Sequence, residues 1–586
     1  NSADPLVVMG GSNIAGNLYT LQSGSATESS LNFGNLTVSG LLSGSAPVVS
    51  SPILSVLMPS GGLFSSSGLS INAVGSVFNT GTIASPGVLS ITAGSNISNS
   101  GMLSGSTVNL TAQSVSNYGT VLASAGNVNL NAMSGSFVNS GLIAAPLGSI
   151  NVNTDAATLA SNINFDNLGG TLRAAQNIQF RNSDYSGDAD ISITGGDLLS
   201  NAVNINAGQG TADLNVGELT GTLSTYGLAS HVIADTAVLN LGEQCLTGDP
   251  TYYNSGNINI SGNITVGEKL AVIASGNITN SGAGGYSITA RNAGVGQDIT
   301  MIAGAAFTTA SAGAGTATLT GAPPAGAVPG GGTVTVTGGS AAGGSITLTT
   351  GAGVSLIDAS GTTGAGGNVT LLAFADATGA TGGTIALPTG SNIRTDGASG
   401  FANGNITLGA GRTGGAAGNS IQAGSLTAFA AGTTGGSINV AVGQPTVVGG
   451  VGGGVQFDST GSVVNGGSFS VSAGTGADRR ISIGAGAGQS ILSGASASIA
   501  APSLVNLNVG TINTNGGNFT IDSGLGNTSI NLNAGTMATQ GGAVNITAGD
   551  NITFLNGTLN TSPAAGAGGA VNLLADRDGV GTGAIN

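Results

Sequence analysis

Between residues 69 and 154, short runs of alternating apolar and polar side chains return at a nearly constant interval. They are Leu69-Ser-Ile-Asn-Ala73, Leu89-Ser-Ile-Thr-Ala93, Val108-Asn-Leu-Thr-Ala112, Val128-Asn-Leu-Asn-Ala132 and Ile150-Asn-Val-Asn-Thr154. Such alternation is the pattern of a strand with one face buried. A second marker recurs between the runs: Asn79-Thr-Gly81, Asn99-Ser-Gly101, Asn117-Tyr-Gly119 and Asn139-Ser-Gly141. Asn and Gly tolerate left-handed backbone, so the marker reads as a turn at a fixed place in each unit. A further apolar segment follows each turn, as in Thr82-Ile83-Ala84 and Thr120-Val121-Leu122.

Strand, turn and strand at a period of about 20 residues predict a β-solenoid in which each repeat is one coil. The expected fold is all-β, an elongated parallel β-helix with about 20–25 residues per coil, right-handed by the rule for parallel crossovers. Stacking would bring Ile71, Ile91, Leu110, Leu130 and Val152 into one inward column, with neighbouring strands about 4.8 Å apart. Outward Asn, Thr and Ser would face water, and the turn Asn residues are candidates for hydrogen-bonded ladders.

The second half uses a looser unit in which Gly precedes a short alternating strand. Examples are Gly332-Thr-Val-Thr-Val336, Gly344-Ser-Ile-Thr-Leu348, Gly367-Asn-Val-Thr-Leu371, Gly404-Asn-Ile-Thr-Leu408 and Gly436-Ser-Ile-Asn-Val440. The series continues with Gly517-Asn-Phe-Thr-Ile521, Gly542-Ala-Val-Asn-Ile546 and Gly569-Ala-Val-Asn-Leu573, at uneven spacing that implies insertions or hidden coils. Residues 1–67 lack the unit and carry Pro5, Pro47, Pro52 and Pro59, which suggests an irregular, capping or subunit-contact segment. Residues 306–331, with Pro323, Pro324 and Pro329, read as a loop or linker between a solenoid over 68–305 and a Gly-rich solenoid over 332–586. Residues 242–255 are the least repetitive and read as a loop excursion.

Composition narrows the function. Of 586 residues 107 are Gly and none is Trp; Lys and Arg total 9 against 24 Asp and Glu, a formal net charge of −15. That balance argues against nucleic acid and anionic membrane surfaces, both of which need basic footprints. Charged residues make up 6% and apolar ones 40%, so the chain can bury a core and is not expected to be disordered. Gly has no period of three, which excludes collagen. The longest apolar-rich stretch, Val48 to Met58, is broken by three Ser and a Pro, and a bilayer span needs about 20 apolar residues. The chain begins at Asn1 without Met or a basic-then-apolar leader, as expected of a processed or excised segment. One cysteine, Cys245, leaves no internal disulfide framework.

The unit Val108-Asn-Leu-Thr-Ala112, followed by Asn117-Tyr-Gly-Thr-Val-Leu-Ala123, resembles the coils of filamentous-haemagglutinin-type proteins, large β-helical exoproteins of bacterial surfaces. The resemblance is clearest over 69–154 and recurs through 256–302 and 332–575. Paired Asn-Pro elements of that family's secretion module are not found in 1–67. The resemblance implies a surface location and a role as adhesin or structural fibre.

Candidate chemistry is sparse. His231 is the only histidine and reads as an exposed or edge-of-strand residue, since a lone His seldom works without partners. Cys245 reads first as a buried thiol, then as an intersubunit disulfide, and last as a nucleophile. Asp184, Asp188 and Asp190, and Asp576 with Asp578, could converge on calcium, although solvated turns explain them better and no Gly-Gly-x-Gly-x-Asp repeat occurs. Asn-x-Ser/Thr triplets such as Asn263-Ile-Thr265 follow from polar-out alternation and say little about glycosylation. No phosphate loop exists, and Lys269 is the only lysine.

These residues give no catalytic set and no cofactor. The expected function is a secreted structural subunit of an extracellular filament or surface fibre, polymerising head to tail through solenoid ends. Val571, Asn572 and Leu573 and the N-terminal segment would form the contacts. The alternative is a bacterial adhesin displaying loops 242–255 and 306–331 to glycans or cell surfaces. A polysaccharide-acting enzyme is less favoured, because eight Arg and one Lys are spread over the whole chain. An ice-binding array at Thr333, Thr335 and Thr337 is not sustained in neighbouring coils.

Overall fold

A computed structural model describes residues 68–586 apart from 156–160, 249, 281–285, 310–316, 320–325, 329–333, 349–356, 377–380, 388–389, 412–418, 443–453, 458–462, 466, 474–479, 503, 526–527 and 580–582, together with the strands between Ser12 and Ser65. Among the described residues there is no helix, and the strands stack in parallel ladders. The chain is an all-β parallel β-solenoid, divided into two compact units, Asn1–Asn240 and Leu241–Asn586.

In the first unit the coils contribute strands to three columns as far as Asp197–Leu199, and to two columns beyond it. One runs through Leu69–Ala73, Leu89–Ala93, Val108–Asn117, Val128–Asn139, Ile150–Val152, Asn177–Phe180, Ala202–Asn206 and Thr222–Gly227. A second includes Val77–Asn79 and Asn96–Asn99 and ends on Thr211–Val216 against Ala229–Ala234. The third holds Thr82–Ala84, Met102–Gly105, Thr120–Ala123, Leu142–Ala145, Thr171–Ala174 and Asp197–Leu199.

Register puts like on like: Leu69 on Leu89, Ile71 on Ile91, Val108 on Val128 and Leu110 on Leu130. With a side-chain period of two, a slip of one residue would turn every aliphatic outward, so the buried face locks the register. The column of Ile71, Ile91, Leu110, Leu130 and Val152 forms as the alternation predicts, and all five are at most 1% exposed. Phe137, Phe165 and Phe180 fill the coils further along, with ring centroids 5.2 and 5.7 Å apart.

The Asn-x-Gly marker works differently from the turn chemistry expected of it. Asn79, Asn99, Asn117 and Asn139 end their strands pointing inward and are 1% exposed. None of these four, nor Gly81, Gly101, Gly119 or Gly141, has positive φ. The glycines are required by clearance: a Cβ on Gly119 would lie 2.1 Å from the carbonyl oxygen of Gly101, and one on Gly141 would lie 2.0 Å from that of Gly119.

Strands between Ser12 and Ser65 extend the same parallel columns, with Leu36 on Val56, Val56 on Val77, and Gly62 on Thr82. The irregular segment expected over 1–67 is therefore regular wherever it is described; its remaining residues lie outside the described set. Apolar triplets such as Leu36-Thr-Val38 suffice for a rung when adjacent coils supply the ladder.

The second unit repeats the principle with longer connections. Ile299, Val369, Ile406, Ile438, Phe469, Ala497, Phe519, Val544 and Val571 follow one another in register. The long gap between Gly436 and Gly517 thus contains hidden coils at Phe469 and Ala497. Val334–Gly339, assigned above to the coil series, instead pairs antiparallel with Ala305–Thr309. It belongs to an insertion that also holds a hairpin of Ala317–Leu319 and Gly326–Val328. Ser340 N donates to Gly304 O at 2.6 Å, so the insertion leaves and re-enters the coil at one point. The described residues of 306–331 belong to this insertion, and the compact units divide at 240/241 instead. Thr333 lies outside the described residues.

The excursion expected over 242–255 is also corrected. Gln244–Leu246 pairs with Ile264–Val266, and Thr251–Asn254 pairs with Ala271–Ala274. Its unusual residues are core residues: buried Tyr252 donates from its hydroxyl to buried Gln244 Oε1 at 2.8 Å. A polar pair satisfied within the core replaces the usual aliphatic contact, which hides the strand from hydrophobic periodicity.

Candidate functional site

His231 sits within Ala229–Ala234, a strand buried along its whole length, and is 5% exposed. It is neither exposed nor on an edge. Register places it on Asp213, and its Nδ1 lies 2.6 Å from Asp213 Oδ1. Its Nε2 is buried without a hydrogen-bond partner among the described residues. The adjacent Ser230 points to the opposite face of the strand, so the pair has no hydroxyl nucleophile from that neighbour.

Cys245 is exposed, which overturns the buried-thiol reading. Buried Gln244 and Leu246 flank it, so strand alternation forces its side chain outward. The calcium candidates do not converge. Asp184, Asp188 and Asp190 are exposed, and Asp190 Oδ1 accepts from Thr211 N at 2.9 Å. Asp576 occupies a left-handed turn with φ of 56°, while the intervening Arg577 reaches both carboxylate oxygens of Asp522 at 3.0–3.1 Å. Among the described residues no group of three or more His, Cys, Asp or Glu is placed to hold a metal ion. No helix long and apolar enough to cross a membrane occurs among the described residues.

Val571–Leu574 forms a strand in register with Val544–Thr547, and Asn572 Nδ2 donates to Asn545 Oδ1 at 2.8 Å. Val571 is 44% and Leu574 51% exposed, while Leu573 is half-buried. Charged pairs stand on other coils of the second unit. Arg291 meets Asp358 at 3.0 Å, and Arg394 meets Asp396 at 2.8 Å. The Asp396 hydrogen bond holds the Arg394 guanidinium more firmly protonated than usual.

A feature of the first unit was not foreseen. Arg181 follows Phe180 at φ of 57° and is wholly buried. Its Nη atoms donate to Ala189 O and Ser161 O, and its guanidinium lies 4.4 Å from the centre of the Tyr185 ring. Burial lowers its pKa, against the pull of Tyr185 and Asp190. Arg181, Gln179, Ser183, Asn204, Ile205, Asn206 and Tyr226 line a groove of about 480 Å³. Asn206 Nδ2 donates to the carbonyls of Asn182, Ser183 and Tyr185, fixing the loop that forms one wall. The only sequence signal was an Arg interrupting the aliphatic grammar after Phe180. No protein-family model, curated protein or solved structure matches the chain.

Proposed function

We propose that the chain is a structural subunit of an extracellular filament or cell-surface fibre, built like the coils of filamentous-haemagglutinin-type proteins and assembling by end-to-end stacking. The observation that carries this is the self-complementarity of the coils. Identical side chains stack on one another through Leu69/Leu89, Ile71/Ile91, Asn109/Asn129 and Asn117/Asn139. A coil edge of one molecule therefore offers the donors, acceptors and apolar column that another molecule's coil needs, and a heterologous contact that does not close produces a fibre. Scarce charge favours the packing. An adhesin role is the second reading, favoured by the insertion that leaves the coil at Gly304 and returns at Ser340.

The test is Val571→Pro. Proline removes a ladder donor from an exposed strand while the preceding coils keep their contacts. Electron microscopy of the wild-type chain is expected to show fibres, and the variant folded but unassembled molecules. Normal fibres from the variant would overturn end-to-end stacking through this strand; wild-type molecules that stay separate at every concentration would move the weight to the adhesin.

A further inference from the structure

One outward column of the first unit is a ladder that stops partway. Asn129 Nδ2 donates to Asn109 Oδ1 at 2.7 Å, and Asn151 Nδ2 to Asn129 Oδ1 at 2.7 Å. The next two members in register are Gln179 and Asn204. Among the described residues neither makes a side-chain hydrogen bond, and both line the groove with Arg181. The cause is chemical: Gln179 is one methylene longer than Asn, so its amide leaves the stacking plane, and Asn204 then has no amide below it at the right height. Strand spacing sets the backbone positions of Gln179 and Asn204 about 4.8 Å apart, comparable with the length of one sugar residue. Tyr226, in register with Asn206, presents a 38% exposed aromatic side chain beside them.

We infer that this groove binds a neutral oligosaccharide, with the amides of Gln179 and Asn204 hydrogen-bonding successive hydroxyls and the Tyr226 ring covering an apolar sugar face. Amides supply both donors and acceptors, as hydroxyl groups require. An aromatic body with a polar tip suits a ligand that is apolar on its faces and polar at its edge. Ligand sites are typically concave, with a few placed polar groups, and this groove has that form. Charge selects the neutral class. The Nη atoms of Arg181 are already committed to Ala189 O and Ser161 O. Asp184, Asp188 and Asp190 stand exposed on the segment beyond Ser183, where they repel uronates. Fibre assembly is a separate property, so a folded but unassembled Val571→Pro chain is expected to bind as the wild type does.

The experiment is calorimetric titration of the full chain with neutral gluco-, xylo-, manno- and galacto-oligosaccharides, and with oligogalacturonate. One neutral series is expected to bind with a Kd between about 10 μM and 1 mM, and Gln179→Ala/Asn204→Ala to weaken it by about tenfold or more. Neither side chain has a hydrogen bond to lose among the described residues, so the thermal transition of that variant should stay at the wild-type temperature. Asn531→Ala removes an outward amide of the second unit that donates to Asn506 at 2.8 Å, and should leave binding unchanged. Tyr226→Ala is the second probe of the groove. Absence of neutral-sugar binding at millimolar concentration overturns the inference, as do equal affinity in both groove variants or stronger binding of oligogalacturonate.

Discussion

Asn117 shows what a single position contributes. Its Oδ1 accepts from Asn99 and its Nδ2 donates to Asn139, at 2.7 and 2.8 Å, inside a ladder running from Asn79 to Asn167. Amides in a row polarise one another, and the low local dielectric makes an interrupted ladder costly. Asn117→Ala leaves the Asn139 acceptor without its donor, while Asn99 Nδ2 keeps the carbonyls of Gly101 and Thr120, and should cost about 1–3 kcal/mol, read by denaturant unfolding. Gly119→Ala should cost at least as much, because its new Cβ would meet backbone 2.1 Å away rather than a movable side chain. A cost under about 0.5 kcal/mol at either position, the range of an ordinary surface substitution, would show that the turn relaxes. The Asn-x-Gly spacing was legible in the sequence, but its cause was not. A conformational requirement and a clearance requirement both select Gly, and only the neighbouring coil distinguishes them.

Strands are the next scale, and here alternation was a good guide where both faces differ and a poor one where they do not. Leu69–Ala73 reads as a strand because polar and apolar residues alternate against solvent and core. Pro250–Asn254 and Leu270–Ala274 are buried at every position, which removes the alternation. Burial also pushes the Tyr253 hydroxyl above its ordinary pKa. Val334–Gly339 failed in the opposite sense: its Val-Thr-Val-Thr pattern is that of a coil, yet it pairs within the insertion. Because Gly304 and Ser340 are joined by a 2.6 Å backbone hydrogen bond, replacing 305–339 with a short Gly-containing turn should preserve the flanking coils. Circular dichroism should retain the β signal, with a melting temperature within about 2 °C of the intact chain, a shift corresponding to about 1 kcal/mol in a unit as long as Leu241–Asn586. Loss of cooperative unfolding would show that the insertion supports the coils it leaves.

At the scale of the whole molecule, charge and stacking oppose each other. The formal net charge is −15 at pH 7, and the sequence pI is about 4.1. Self-repulsion between molecules falls as carboxylates take up protons, so end-to-end stacking should accelerate from pH 7 towards pH 4 and reverse on return to neutral pH. Added salt at pH 7 should act in the same direction by screening. Turbidity and electron microscopy across this range test it; assembly that is fastest at pH 7 in low salt would mean that attraction between charged groups drives the contact.

Period, strand faces and the aliphatic columns were determined by the sequence alone, because each coil carries its own local pattern and like stacks on like. The Arg181 groove, the His231–Asp213 pair, the outward Cys245 and the separation of insertion from coil were decided by the tertiary structure. Each depends on which residue of another part of the chain lies opposite, from 18 positions away for Asp213 and His231 to 36 for Gly304 and Ser340. Connections of uneven length make that register unreadable until the coils are stacked.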